Sequence, residues 1–152
     1  MSLRARLFVA LILCAGPPAG CAKKFPPIVP TEGTVTINGK PLPNAAVTFV
    51  PVLEHFGAES YSTATTDGNG HFVLTCHFNN QPGAAVGEHV VLIEEGALPE
   101  KMRGEQDGRV IDAYRAKLGN RPIPPEYSSF GKSPLRTEVK EGRGPVAVAI
   151  SR

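Results

Sequence analysis

Tryptophan is absent from this chain, and tyrosine (three), methionine (two) and cysteine (three) are scarce. Without tryptophan and with few tyrosines, the sequence is poor in the flat rings from which a carbohydrate-binding platform is built. No apolar run is long enough for a membrane span: the longest, Leu7–Gly16, has ten residues, where a spanning helix needs about 20. Charge is nearly balanced, with 16 basic and 14 acidic side chains, and no basic face points to nucleic acid. Phosphate-cradling glycine loops, dinucleotide fingerprints and the nucleophile elbow of serine hydrolases are all missing.

What is present is organised from the first residues. Arg4 and Arg6 precede the apolar run, and Pro17 and Pro18 end it. A charged start, a short apolar stretch and small residues after it make the layout of a secretory signal peptide. Pro18-Ala19-Gly20-Cys21 then resembles the lipobox of bacterial lipoproteins, in which small residues at the two positions before a cysteine admit the signal peptidase. Pro18 stands where that box usually carries an aliphatic residue. The resemblance implies recognition through Ala19 and Gly20, cleavage before Cys21 and covalent lipid on Cys21 as the only prosthetic group. Two or three acyl chains suffice for stable anchoring. With Ala22 rather than Asp after the cysteine, the resemblance implies the outer membrane, on its periplasmic or surface face.

Cleavage removes Cys14, Arg4 and Arg6, so the mature chain is formally neutral and keeps Cys21 and Cys76. With Cys21 acylated and Cys76 alone, no intramolecular disulfide is expected. The fold must stand on its core. The predicted organisation is a signal peptide over 1–20, a proline-rich tether over 21–32 and one domain over 33–152.

From Gly33 onward, short β-rich runs alternate with turn residues, the pattern of a sandwich or barrel. Seven runs qualify: GTVTING, NAAVTFVP, YSTATT, HFVLTCHF, EHVVLIEE, PLRTEVK and PVAVAIS. YSTATT is polar and is expected at an edge; EHVVLIEE, apolar on both faces, is expected at the centre. In HFVLTCHF, period-two alternation places Phe72, Leu74, Cys76 and Phe78 together on the core face. A helix is expected only around residues 109–119, with Gly119 ending it.

Three stretches, GTVTINGKPLPNAAVTFVP, TTDGNGHFVLT and PGAAVGEHVVLI, resemble phrases of carboxypeptidase-regulatory-like domains. With IPPEYSSFGKSPLRTEVKEG, the mixture resembles small planctomycete lipoproteins carrying such a domain. The resemblance implies an all-β, seven-stranded, transthyretin-like or Ig-like β-sandwich with one long inserted loop, about residues 96–132. It is nearly silent on activity. A hydrolase of 5-hydroxyisourate shares the fold, but its Tyr-Arg-Gly-Ser-type tail has no counterpart in VAVAISR.

Individual sites read as follows. Asp67-Gly-Asn-Gly fails the EF-hand template, which needs a Glu at the twelfth position where Phe78 stands; a hairpin turn is expected. His71 and His77 are about 20 Å apart along one strand, so only His89 from a neighbouring run offers a second metal ligand. Cys76 is expected as a buried, inert thiol. The long loop carries seven basic residues, and Arg115, Arg121, Tyr114, Tyr127 and Phe130 form a candidate partner-contact surface. The alternative is a loop that wraps the sandwich edge through Ile123, Pro124 and Tyr127. The functional expectation is a non-catalytic, lipid-anchored envelope domain acting as a structural or protein-interaction module, or alternatively as a carbohydrate-binding accessory module; a hydrolase of unknown type is the remaining alternative. No metal or nucleic acid is expected.

Overall fold

The computed structural model describes residues 24–54 and 56–152. The signal segment, Ala19, Gly20 and Cys21 lie outside the described residues. In chain order the elements are β1 (Ile28–Val29), β2 (Glu32–Ile37), β3 (Lys40–Pro41), β4 (Ala45–Pro51), β5 (Ser62–Thr65), β6 (His71–Val73) and β7 (Thr75–Cys76). There follow β8 (Gln81–Pro82), β9 (Ala84–Ala85), β10 (Gly87–Glu95), α1 (Gly108–Lys117), β11 (Arg136–Val139) and β12 (Val146–Ile150). Among the described residues the regular structure is thus mostly strand, in largely antiparallel sheets, with one short α-helix.

The larger sheet has the order β11-β10-β4-β5-β7-β8. The nine-residue β10, expected at the centre, is an interior strand one place in from the edge: it pairs with β4 from His89↔Pro51 to Glu95↔Ala45 and with the edge strand β11 on its other side. The smaller sheet is built on β2. β12 runs parallel to it, Gly33↔Val146 through Ile37↔Ile150, while β6 and β3 lie end to end along its other edge. Asn38 and Gly39, both at positive φ, turn β2 into β3, which is the backbone a tight two-residue hairpin demands.

The two sheets share one core. Val47, Phe49, Val91, Ile93 and Val139 from the larger sheet meet Val35, Ile37, Phe72, Val148 and Ile150 from the smaller. Phe49 and Phe72 span the layers with ring centroids 5.9 Å apart. Alternating burial along β2, β4 and β12 is the direct product of the period-two pattern.

Several expectations change. The run HFVLTCHF is not one strand: β6 pairs with β2 in the smaller sheet, and β7 pairs with β5 in the larger. Leu74, fully buried, is the corner between them. Cys76 is buried as expected, but alternation has ended before Phe78, which sits in the β7–β8 turn and is 47% exposed. β5, expected at an edge, is flanked by β4 and β7, so its backbone groups are spent on both sides. Within the segment expected as a tether, Ile28 and Val29 pair with Ala85 and Ala84. Ordered structure therefore begins upstream of Gly33. The inserted loop holds α1 and two short 3-10 turns, Glu100–Met102 and Pro125–Ser128, so it is a structured insert.

Gly33 lies where β2 is pinched between its partners. A Cβ there would come within 2.1 Å of the Val146 carbonyl oxygen and 2.7 Å of the Phe72 ring. Neither the backbone of β12 nor a ring locked in the core can retreat cheaply. Gly33→Ala is expected to lower unfolding free energy by about 1–3 kcal/mol, read as a lower urea midpoint at unchanged slope.

Candidate functional site

β4 rises about 3.4 Å per residue, so its seven residues separate two ends of the sandwich by about 20 Å. At the Ala45 end lies Glu95, the last residue of β10, and with it the insert; at the Pro51 end lies His89. Arg115 and Arg121 reach Glu95 at the Ala45 end, and the candidate partner-contact residues divide between two environments.

Arg121 and Tyr127 are structural. Arg121, 5% exposed at its side chain, donates from Nε to Glu95 Oε2 at 2.7 Å. Its Nη2 donates to the Pro43 and Asn44 carbonyls at 2.6 and 3.2 Å, and its Nη1 to the Gly119 carbonyl at 3.3 Å. Asn120 adds a bond from Nδ2 to the Pro41 carbonyl at 2.8 Å. The planar fork of arginine suits this multiple grip, which a lysine ammonium cannot reproduce. Tyr127 is buried, and its hydroxyl both donates to the Ser151 carbonyl and accepts from the Ser151 N–H at 3.2 Å. The expectation that these two residues face a partner is therefore corrected. They dock the insert, with Ile123 also packed on the core. Ser133, which the sequence did not single out, is buried and donates to the Val91 carbonyl at 2.7 Å.

The outer side of the insert is different. α1 starts at Asp107, whose carboxylate accepts from the Arg109 N–H at 2.9 Å as a helix cap. It ends before Gly119, whose φ of +73° provides the left-handed stop seen after many helices. Arg115 and Lys117 occupy the last turn, where the helix dipole favours cations. None of the helix's residues is buried. Tyr114, Val110 and Ala113 line a groove of about 540 Å³ with Met102 of the adjoining 3-10 turn. Lys101, Arg109 and Lys117 surround it. Arg115 points inward: its Nε comes within 4.0 Å of Glu95 Oε2, too far for a hydrogen bond, and has no hydrogen-bond partner. Phe130 is 53% exposed. Of the five residues, Tyr114 alone lines this groove; Arg115 sits behind it, and the other three do not line it.

The other candidates do not converge. Asp67 accepts from the Asn69 and His71 N–H groups at 2.8 and 2.9 Å, which closes a turn and lowers its pKa. His71 approaches Glu32 at 3.6 Å, and His77 Nε2 bonds Thr63 Oγ1 at 2.9 Å. Among the described residues, no group of three or more acidic, His or Cys side chains is placed to hold a metal ion. His89 is fully buried beside Phe49, their ring centroids 5.8 Å apart. Its Nδ1 lies 3.0 Å from the Gly87 carbonyl and must carry the proton, while Nε2 has no partner. Burial pushes its pKa below the ordinary value, partly offset by that hydrogen bond.

Compared with family models, with curated proteins and with solved structures, the chain shows no match.

Arg121→Ala removes the cation from a largely buried pair and is expected to cost about 3 kcal/mol; Arg121→Lys should recover less than half of that in urea unfolding. For His89, the folded protein resists the charged imidazole, so its stabilising effect is complete above the unfolded pKa of about 6.5. It is lost as pH falls from there through the lowered folded pKa. In parallel melts, His89→Leu should flatten the fall in stability below about pH 6.5.

Proposed function

We propose that this chain is a non-catalytic, lipid-anchored module of the cell envelope whose outer groove docks an acidic, partly apolar segment of a partner protein. The observation that carries the reading is the groove on α1. Three cations frame Met102 of the 3-10 turn and Tyr114 and Val110 of a helix that commits no buried residue to the core. A partly apolar floor supplies contact area, and the surrounding cations steer an oppositely charged segment and set its register. The Arg121 grip keeps that helix fixed at one end of the sandwich, so the groove is presented in one shape.

The anchor belongs to the same reading. Acylation of Cys21, directed by Ala19 and Gly20, ties the opposite end of the sandwich to the membrane, by default the outer one. The groove then faces away from the lipid. The transthyretin-like topology and the likeness to planctomycete lipoproteins rest on the phrases of the sequence itself.

Amine-reactive crosslinking on intact cells tests both parts. Lys101 and Lys117 are expected to capture one recurrent envelope protein, with an acidic stretch at the crosslinked site. Arg109→Glu with Tyr114→Ser should abolish capture while shifting stability by no more than about 0.5 kcal/mol. Cys21→Ser should move the protein from the membrane to the soluble fraction. Capture that survives the double substitution, or a Cys21→Ser protein that stays membrane-bound, would reject the corresponding half.

A further inference from the structure

At the Pro51 end of the sandwich, three phenylalanines from separate parts of the chain meet at the surface. Phe25 comes from the N-terminal segment, Phe56 from the connection between β4 and β5, and Phe78 from the β7–β8 turn. The rings of Phe25 and Phe78 stack, with centroids 4.2 Å apart and planes 3° from parallel. Phe56 meets Phe25 edge-on at 5.2 Å. Phe78 remains 47% exposed, and the other two are half-buried. The β4–β5 connection adds Val52, 54% exposed. Phenylalanine has no polar tip to satisfy in water, and a gathered apolar patch on a surface marks something that covers it.

We infer that this aromatic trio seats the domain directly on the bilayer, its rings entering the boundary between headgroups and acyl chains. The inference rests on the lipid-anchor reading of Cys21. Phe25 follows Cys21 by four positions in the sequence, a reach of at most about 14 Å even when fully extended. The pairing of Ile28 with Ala85 prevents the rest of the proline-rich segment from paying out as a long stalk. An acyl group on Cys21 therefore holds Phe25 within about 14 Å of the anchored residue, and with it the two rings that meet it. Tethering makes ring insertion an intramolecular event, which even a weak apolar preference then favours. Lys23 and Lys24, between the anchor and the trio, have stems long enough to keep their ammonium groups at the headgroups. The register of β4 and β10 places the insert at the other end, so the same orientation points the α1 groove outward.

The absence of tryptophan makes the test clean, because a single introduced tryptophan is the only indole signal. The full-length protein, lipidated in cells, is reconstituted into vesicles of phosphatidylcholine and phosphatidylglycerol with brominated acyl chains, which quench indole on contact. Phe78→Trp is expected to lose most of its fluorescence, whereas Val110→Trp on α1 keeps it. Phe25→Trp repeats the measurement if the first variant melts early. Protein that floats with vesicles and carries lipid mass on Cys21, yet shows no quenching at residue 78 or 25, overturns the seat and leaves the anchor standing. Protein without lipid on Cys21 that fails to float overturns both. A blue-shifted, unquenched tryptophan in a dimeric protein shows the trio covered by a second copy and overturns the seat as well.

Discussion

The Arg121 guanidinium is the contact on which the arrangement of the molecule turns. One planar group closes the charge of Glu95 at the end of β10 and takes up the carbonyls of Pro43 and Asn44 ahead of β4 and of Gly119 behind α1. Four carbonyl and carboxylate oxygens from three parts of the chain are satisfied by a single side chain. Burying such groups without partners is expensive, so the loop before β4, the end of β10 and the helix are obliged to stay together. With Cys76 the one described cysteine, buried and free, no covalent link shares that task among the described residues. Tyr127, through both backbone polar groups of Ser151, fastens the insert to the end of β12 in the same way.

Much of the core was legible because it is local. Alternation along β2, β4 and β12 and the unbroken apolar run in β10 point to the residues that are buried. Alternation misled at Phe78 because it assumes one continuous strand, whereas the chain turns a corner at Leu74 into the other sheet and β7 ends at Cys76, leaving Phe78 in a turn. Nothing in the spacing of HFVLTCHF marks that corner; it is set by which strands compete for β2 and β5. Arg121 and Tyr127 were misjudged for a related reason. A charged or aromatic residue in a long insert looks like surface until its partners are known, and those partners lie far away in the sequence. Phe25 was hidden by the prolines around it, which signal an extended chain but say nothing of where that chain lies.

The result is a domain with two unlike ends. One gathers the N-terminal segment, the exposed rings and the buried, awkwardly placed His89. The other gathers the insert, its cation-rimmed groove and residues 151 and 152. Such a division suits a protein held at one end and read at the other. It follows from the sandwich itself: strands carry the chain back and forth, so every connection must open at one end or the other. Evolution of contact surfaces can then proceed in the connections while the strands between them stay fixed.

The parallel pairing of β12 with β2 carries a consequence for how the chain must assemble. β2 is among the first strands to emerge from any pore or ribosome, yet one of its edges is completed by the last strand described. Until Val146–Ile150 arrives, Val35 and Ile37 have an open neighbour and the core lacks one wall. Pairings so distant along the chain are closed late and at high entropic cost. A chain threaded N-terminus first is thereby kept from finishing its sandwich prematurely, and the open edge of β2 is the place where misassembly with another copy would start.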